Sequence, residues 1–94
     1  MEYRELRAAL VTKGEAREDR GKDHVFFYIE VDGKRYRATK ISHSARGQID
    51  AAILGAISRQ MRLTASELRS FVACRLDRER WLKLWRERGP WYTH

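Results

Sequence analysis

Apolar residues open the chain at helical spacing: Tyr3, Leu6, Ala9 and Leu10 stand among Arg4, Glu5 and Arg7, and Gly14 follows as a C-terminal stop. The pattern predicts an amphipathic helix over residues 2–13. Residues 15–23, Glu-Ala-Arg-Glu-Asp-Arg-Gly-Lys-Asp, hold almost nothing apolar and fit either a loop or an edge strand. At His24 the period changes from helical to two. His-Val-Phe-Phe-Tyr-Ile-Glu-Val over residues 24–31 is rich in β-formers, Asp32-Gly33 is a strong two-residue hairpin signal, and Lys34 to Ile41 continues the alternation.

If the hairpin is symmetric about Asp32-Gly33, residues whose numbers sum to 65 face each other. One face then carries Val25, Phe27, Ile29, Val31, Tyr36 and Ala38, and is expected to be the core face. The other carries His24, Phe26, Tyr28 and Glu30 opposite Ile41, Thr39, Arg37 and Arg35, a basic and aromatic face expected to meet solvent.

Further on, Ile49, Ala52, Ile53, Ala56, Ile57 and Met61 return at helical spacing and predict a helix of roughly residues 47–62 that covers the core face. Thr64-Ala-Ser-Glu67 is a capping box, flanked by Leu63 and Leu68 where a hydrophobic staple would sit. Leu76-Asp77 with Trp81 repeats the arrangement for a last helix ending at Gly89-Pro90, and Trp91 to His94 read as a loose tail. The expected fold is α+β: a helix, a small antiparallel sheet of two or three strands, a helix, then two C-terminal helices, as one domain over residues 1–94.

Charge adds a direction to this outline. Fifteen Arg and five Lys oppose thirteen acidic residues, and the excess is local: residues 31–63 hold seven basic groups and two acidic ones. Arginine pairs bidentately with phosphate, so a stripe of this kind predicts contact with nucleic acid. The single Cys74 reads as a small core residue, and His24, His43 and His94 are not at metal-ligand spacing, so neither a metal nor another cofactor is expected. With no signal peptide and no long apolar stretch, the expected location is cytoplasmic.

The symmetric register places His43 diagonal to His24 on the basic face, about 7–8 Å away. Two imidazoles there could serve as base and acid in RNA cleavage, the base taking the 2′-hydroxyl proton while that oxygen attacks the neighbouring phosphate. Arg35 or Arg37 would stabilise the developing charge. The plainer alternative is that His24 begins a strand and His43 makes a turn hydrogen bond. A register shift of one residue would also move His43 to the opposite face.

Gly21-Lys-Asp-His24 opening a strand, after a short helix ending at Gly14, resembles the Gly-x-x-His element of the HicA toxins, small ribonucleases of toxin–antitoxin systems. Ile41-Ser-His43-Ser is similar to that family's second histidine region. Ile49-Asp-Ala-Ala-Ile53-Leu-Gly-Ala-Ile57 through Gln60-Met-Arg-Leu63 is similar to the helix that follows it, so the resemblance spans roughly residues 2–63, with 64–94 as a helical extension. It implies a double-stranded-RNA-binding-like fold, metal-independent mRNA cleavage with His24 as the catalytic residue, and a HicB-like antitoxin as partner.

Two alternatives remain open beside this reading. In one, the same face, through Tyr28, Arg35, Arg37 and Lys40, holds RNA without cutting it. In the other, the C-terminal helices supply an oligomer or antitoxin interface through Trp81 and Trp85, with Arg78 and Arg88 beside them, rather than packing into the core.

Overall fold

The computed structural model describes residues 1–90; Trp91–His94, which the sequence suggests are a tail, lie outside the described residues. Helix α1 (Tyr3–Ala8) runs into a π-helical turn (Ala9–Lys13), followed by strands β1 (Arg17–Arg20), β2 (His24–Val31) and β3 (Lys34–Ser42). Helices α2 (Ala51–Gln60), α3 (Ala65–Val72) and α4 (Arg78–Glu87) complete an α+β fold. The sheet is antiparallel in the order β1-β2-β3, so the ambiguous 15–23 segment does contain an edge strand. Its Arg-Glu-Asp-Arg sequence shows no apolar alternation because it needs none. Charges on an edge strand discourage pairing with other chains, and Glu18 is fixed to α1 by Arg7, whose Nη2 donates at 2.9 Å.

Gly14 ends the first helical segment for a reason that periodicity does not reveal. The π turn closes with its N–H donating to the Ala9 carbonyl at 2.9 Å, and its φ of −80° is right-handed. A Cβ on Gly14 would lie 2.8 Å from the Leu10 carbonyl oxygen and 3.1 and 3.2 Å from the Trp81 and Phe71 rings. Glycine is needed here for the close approach of α3 and α4, while Glu15 takes the left-handed turn at φ 53°.

The Asp32-Gly33 turn has positive φ at both residues, 53° and 80°, as a type I′ hairpin requires. The symmetric register holds from Val31↔Lys34 through Tyr28↔Arg37 and then slips: Phe27 faces Thr39, Val25 faces Ile41 and His24 faces Ser42. The extra residue, Ala38, forms a β-bulge, which reverses the facing of everything after it. Thr39 and Ile41, expected on the open face, are instead 1% and 9% exposed, within the core. Lys40 moves to the open face, opposite Phe26.

Asp50 caps α2 by accepting the Ile53 N–H at 2.9 Å. The buried stripe is Leu54, Ile57, Ser58 and, just past the helix, Met61, at i, i+3, i+4 and i+7. This corrects the sequence reading by a rotation of the helix, because Ile53 is 42% exposed and Ile49 is buried ahead of the helix. Leu54 and Ser58 take the places assigned to Ala52, Ile53 and Ala56.

Both N-caps of the C-terminal helices form as expected. Thr64 and Glu67 exchange backbone and side-chain hydrogen bonds at 2.8 and 3.0 Å between fully buried Leu63 and Leu68, and Asp77 accepts the Arg80 N–H at 2.8 Å. The proposed Trp interface does not: Trp81 is 0% and Trp85 4% exposed. Trp81 packs on Phe71 with ring centres 5.1 Å apart, and its indole N–H donates to the Met61 carbonyl at 2.9 Å. Trp85 meets Trp81 and Tyr36 edge-on at 6.4 and 5.7 Å. A core that already holds α1 and the sheet needs these rings to close over it. Cys74, in contrast, is exposed, at a left-handed φ of 65° just beyond α3.

Candidate nucleic-acid interface

Alternation along β2 gives its inward set, Val25, Phe27, Ile29 and Val31, to the core. That leaves His24, Phe26 and Tyr28 as a row of half-buried rings on the outer face, with centres 6.2 and 6.4 Å apart. Strand β3 lines this row with cations. The Arg35 guanidinium lies 3.9 Å over the Tyr28 ring and that of Arg37 lies 5.7 Å from the Phe26 ring. Lys40, brought round by the bulge, stands across from Phe26.

Strand β1 adds two residues that sequence reading missed as part of the site. Arg17 pairs with Tyr28 and Asp19 with Phe26, so both face outward, and Asp19 lies 3.8 Å from the Arg35 guanidinium. They became visible only once β1 was known to be a strand. Phe26 was legible from alternation as a member of the face, yet its place at the centre of the ring row is a finding of the structure.

The Gly21-Lys-Asp-His24 element is the β1–β2 turn, closed by the Gly21 N–H donating to the His24 carbonyl at 2.8 Å. A Cβ on Gly21 would come within 2.7 Å of the Phe26 ring, so the glycine lets the edge of that ring close on the turn. Motif and aromatic row are therefore one structural unit.

The two histidines are not brought together. His24 ends the outer row, whereas the bulge sends His43 to the other side of the sheet, where it lines a cavity with Val25, Phe27 and Ile41. There its Nε2 lies 2.7 Å from the Gly21 carbonyl oxygen and its backbone N–H donates to the Asp23 carbonyl. A carbonyl only accepts, so Nε2 carries the hydrogen. His43 thus makes the turn hydrogen bond, and an acid–base pair with His24 on one face is excluded by this register.

The arrangement can stack a flat ring on Phe26, and on Tyr28 once the Arg35 guanidinium swings off it, while Arg17, Arg35, Arg37 and Lys40 meet phosphates. Several other arginines are engaged within the fold. Arg78 donates to the Gly14 carbonyl at 3.1 Å, and Arg88 holds Glu67 through two bonds of 2.7 and 3.1 Å. Arg86 grips Asp32 at 2.9 and 3.1 Å, which holds the Asp32 carboxyl below its ordinary range. Among the described residues no group of three or more His, Cys, Asp and Glu side chains could hold a metal ion, and no helix is long and apolar enough to cross a membrane. No protein-family model, curated protein or solved structure matches the chain.

Proposed function

We propose that this protein binds single-stranded RNA across the outer face of its sheet. The observation that carries the reading is the row His24, Phe26 and Tyr28 with Arg35 and Arg37 set over the rings. Stacking on aromatic rings is worth about 1–3 kcal/mol per base, and neighbouring cations follow the backbone. A face of this kind favours unpaired bases, since bases within a duplex keep their ring faces covered. The element order of helix, three antiparallel strands and helix agrees with the double-stranded-RNA-binding-like fold that the HicA resemblance implies.

Anisotropy of a labelled hexaribonucleotide tests this reading. Arg35→Glu with Arg37→Glu should weaken binding, and the slope of log affinity against log salt should shrink by about 0.7 for each phosphate no longer neutralised. A folded double variant with unchanged affinity and slope overturns it.

A second reading, that the same face cleaves RNA as a toxin would, is favoured by His24 ending the row just after its Gly-x-x-His turn. His24 would take the 2′-hydroxyl proton, and the 2′-oxygen would attack phosphorus to leave a 2′,3′-cyclic phosphate. The departing 5′-oxygen would take its proton from water. Arg37 or Lys40 would stabilise the charge on phosphate, and a HicB-like antitoxin would restrain the activity. Chelator-resistant cleavage that His24→Ala abolishes while RNA binding persists supports this reading. Protein freed of any partner that binds RNA without cutting it leaves the binding module alone.

A further inference from the structure

On the opposite side of the sheet from the ring row, a cavity of about 470 Å³ opens between α1, the ends of all three strands and the loop that follows β3. Its floor is the edge of the core, Val25, Phe27 and Ile41. Its rim is cationic: four arginines and His43 line it, against Glu2 as the one carboxylate among the described residues. Two of those arginines are committed, Arg7 to Glu18 and Arg4 to Glu2 at 3.2 Å. Arg20 makes no hydrogen bond or close ion pair among the described residues, acting on Glu18 only at longer range, and Arg46 reaches the backbone carbonyls of His43 and Ala45, both at 3.3 Å. His43 spends Nε2 on Gly21, which leaves Nδ1 for a ligand.

The walls are formed in advance. The Tyr3 N–H donates to the Gly47 carbonyl at 3.0 Å and the Ile49 N–H to the Met1 carbonyl at 2.9 Å, tying the start of α1 to the loop that carries Arg46. The result is a site with an apolar floor, a tyrosine at its side and, at its mouth, two arginines with no side-chain hydrogen-bond partner among the described residues.

We propose that this cavity is a binding pocket for a nucleoside monophosphate, with the phosphate held by Arg20 and Arg46 and the base laid over Val25 and Ile41 beside Tyr3. A bare anion would leave the apolar floor wet. An acyl chain would bury poorly between four arginines and His43, whereas a nucleobase has flat faces and polar edges. The pocket does not depend on RNA binding by the outer face. The same chemistry could come from a free nucleotide or from the phosphorylated end of an RNA strand.

Calorimetric titration of the full chain with 5′-AMP, adenosine, inorganic phosphate and decanoate tests the proposal. AMP should bind at least about tenfold more tightly than adenosine or phosphate, a gap of roughly 1.4 kcal/mol. Arg20→Glu and Arg46→Glu, both surface changes, should each weaken AMP by about tenfold or more. Ala45→Trp should fill the cavity and abolish binding with the fold retained by urea titration. Arg35→Glu with Arg37→Glu should leave AMP affinity unchanged, which separates this site from the outer face. Displacement of AMP by a 5′-phosphorylated hexaribonucleotide but not by its 5′-hydroxyl form assigns the ligand to an RNA end; displacement by neither assigns it to a free nucleotide. No AMP binding at millimolar concentration, tighter binding of decanoate, or loss in the Arg35/Arg37 variant but not in Arg20→Glu or Arg46→Glu overturns it.

Discussion

The outer face of the sheet and the last helix are built from the same ingredients, aromatic rings interleaved with arginines, and the fold uses them in opposite ways. In β2 and β3 the period is two, and the more apolar alternate set, Val25, Phe27, Ile29 and Val31, claims the core. Phe26 and Tyr28 are left outside with Arg35 and Arg37 over them. In α4 the period is helical, no more apolar face competes, and Trp81, Leu84 and Trp85 are themselves the buried stripe. An aromatic–arginine mixture therefore says little until one asks what the opposite face of the same element offers to the core.

The arginines follow the rings. Around α4 several terminate on the protein itself, Arg62 lying 3.8 Å over the Trp85 ring while it donates to the Trp85 and Arg88 carbonyls at 2.8 Å. Burial pushes the Arg62 guanidinium below its ordinary range, opposed in part by Tyr36. On the sheet, Arg37 and Lys40 form no ion pair among the described residues and remain open to a ligand.

The sharpest way to break the comparison is to truncate one ring in each region. Trp81→Ala should cost about 3–5 kcal/mol, since it opens a cavity under Gly14 and Phe71 and leaves the Met61 carbonyl without its indole donor. Phe26→Ala should cost less than about 1 kcal/mol in stability, because its ring is only half-buried. Urea titration of the two variants checks the pair. Equal losses would mean that the outer face is as structural as the helix.

The bulge is the next lever, because it separates the site that exists from the one that symmetry predicts. Deleting Ala38 should remove the bulge yet keep Thr39, Lys40 and Ile41 opposite Phe27, Phe26 and Val25, because the deleted residue is the unpaired one, and should cost roughly 1–2 kcal/mol through the loss of a buried side chain. His43 should then stay on the side of the sheet away from His24. Stability by denaturation, with the cross-strand proximity of residues 24 and 42 read by NMR, checks this; loss of that proximity would mean that the bulge itself holds the pairing.

Binding comes next in size. Phe26→Ala and Tyr28→Ala should each weaken RNA binding by about 1–3 kcal/mol, with little change in salt slope, whereas the arginine reversals should change the slope. Anisotropy at several salt concentrations distinguishes them. A Phe26→Ala variant that binds as tightly as the parent would leave phosphate contact as the only attraction.

These differences mark what the sequence could reveal. Local chemistry was legible: the Asp32-Gly33 turn, the Thr64 and Asp77 caps and the alternation of β2 all rest on contacts within a few residues. What was not legible depends on partners far along the chain. β1 carries no apolar signal because it is an edge, and its strand identity comes from pairing with β2. The bulge follows from the depth to which Thr39 and Ile41 must sink, with Thr39 Oγ1 donating to Gln60 on α2 at 2.6 Å. His24, Tyr28, Arg35 and Arg37 lie on the outer face where the symmetric register puts them, and Lys40 reaches it only through the bulge. His43, Trp81 and Trp85 were misplaced, His43 by the bulge in β3 and the two rings by neighbours from other elements.

The smallest expected effect concerns the clasp that closes the helical region, and it tests whether arginines there serve the fold alone. Hydrogen bonding from the Arg88 guanidinium, helped by the Thr64 backbone N–H and opposed by burial, holds the Glu67 carboxyl below the ordinary glutamate range. Folding thus favours the ionised form. The stabilisation it brings is fully present above the unfolded value of about 4.3 and is lost as pH falls through the lower folded value. Glu67 and Arg88 are a quarter and a fifth exposed, so the contribution should not exceed about 1 kcal/mol. Urea titrations between about pH 5 and pH 3 should show Glu67→Gln losing less stability on acidification than the parent, with the two curves converging at the acid end. RNA affinity at neutral pH should be the same for both, because the clasp lies in α3 and the chain after α4, away from the ring row. Parallel pH curves would mean that Arg88 gains nothing from Glu67, and a change in RNA affinity would mean that the division between the two regions is not one of function.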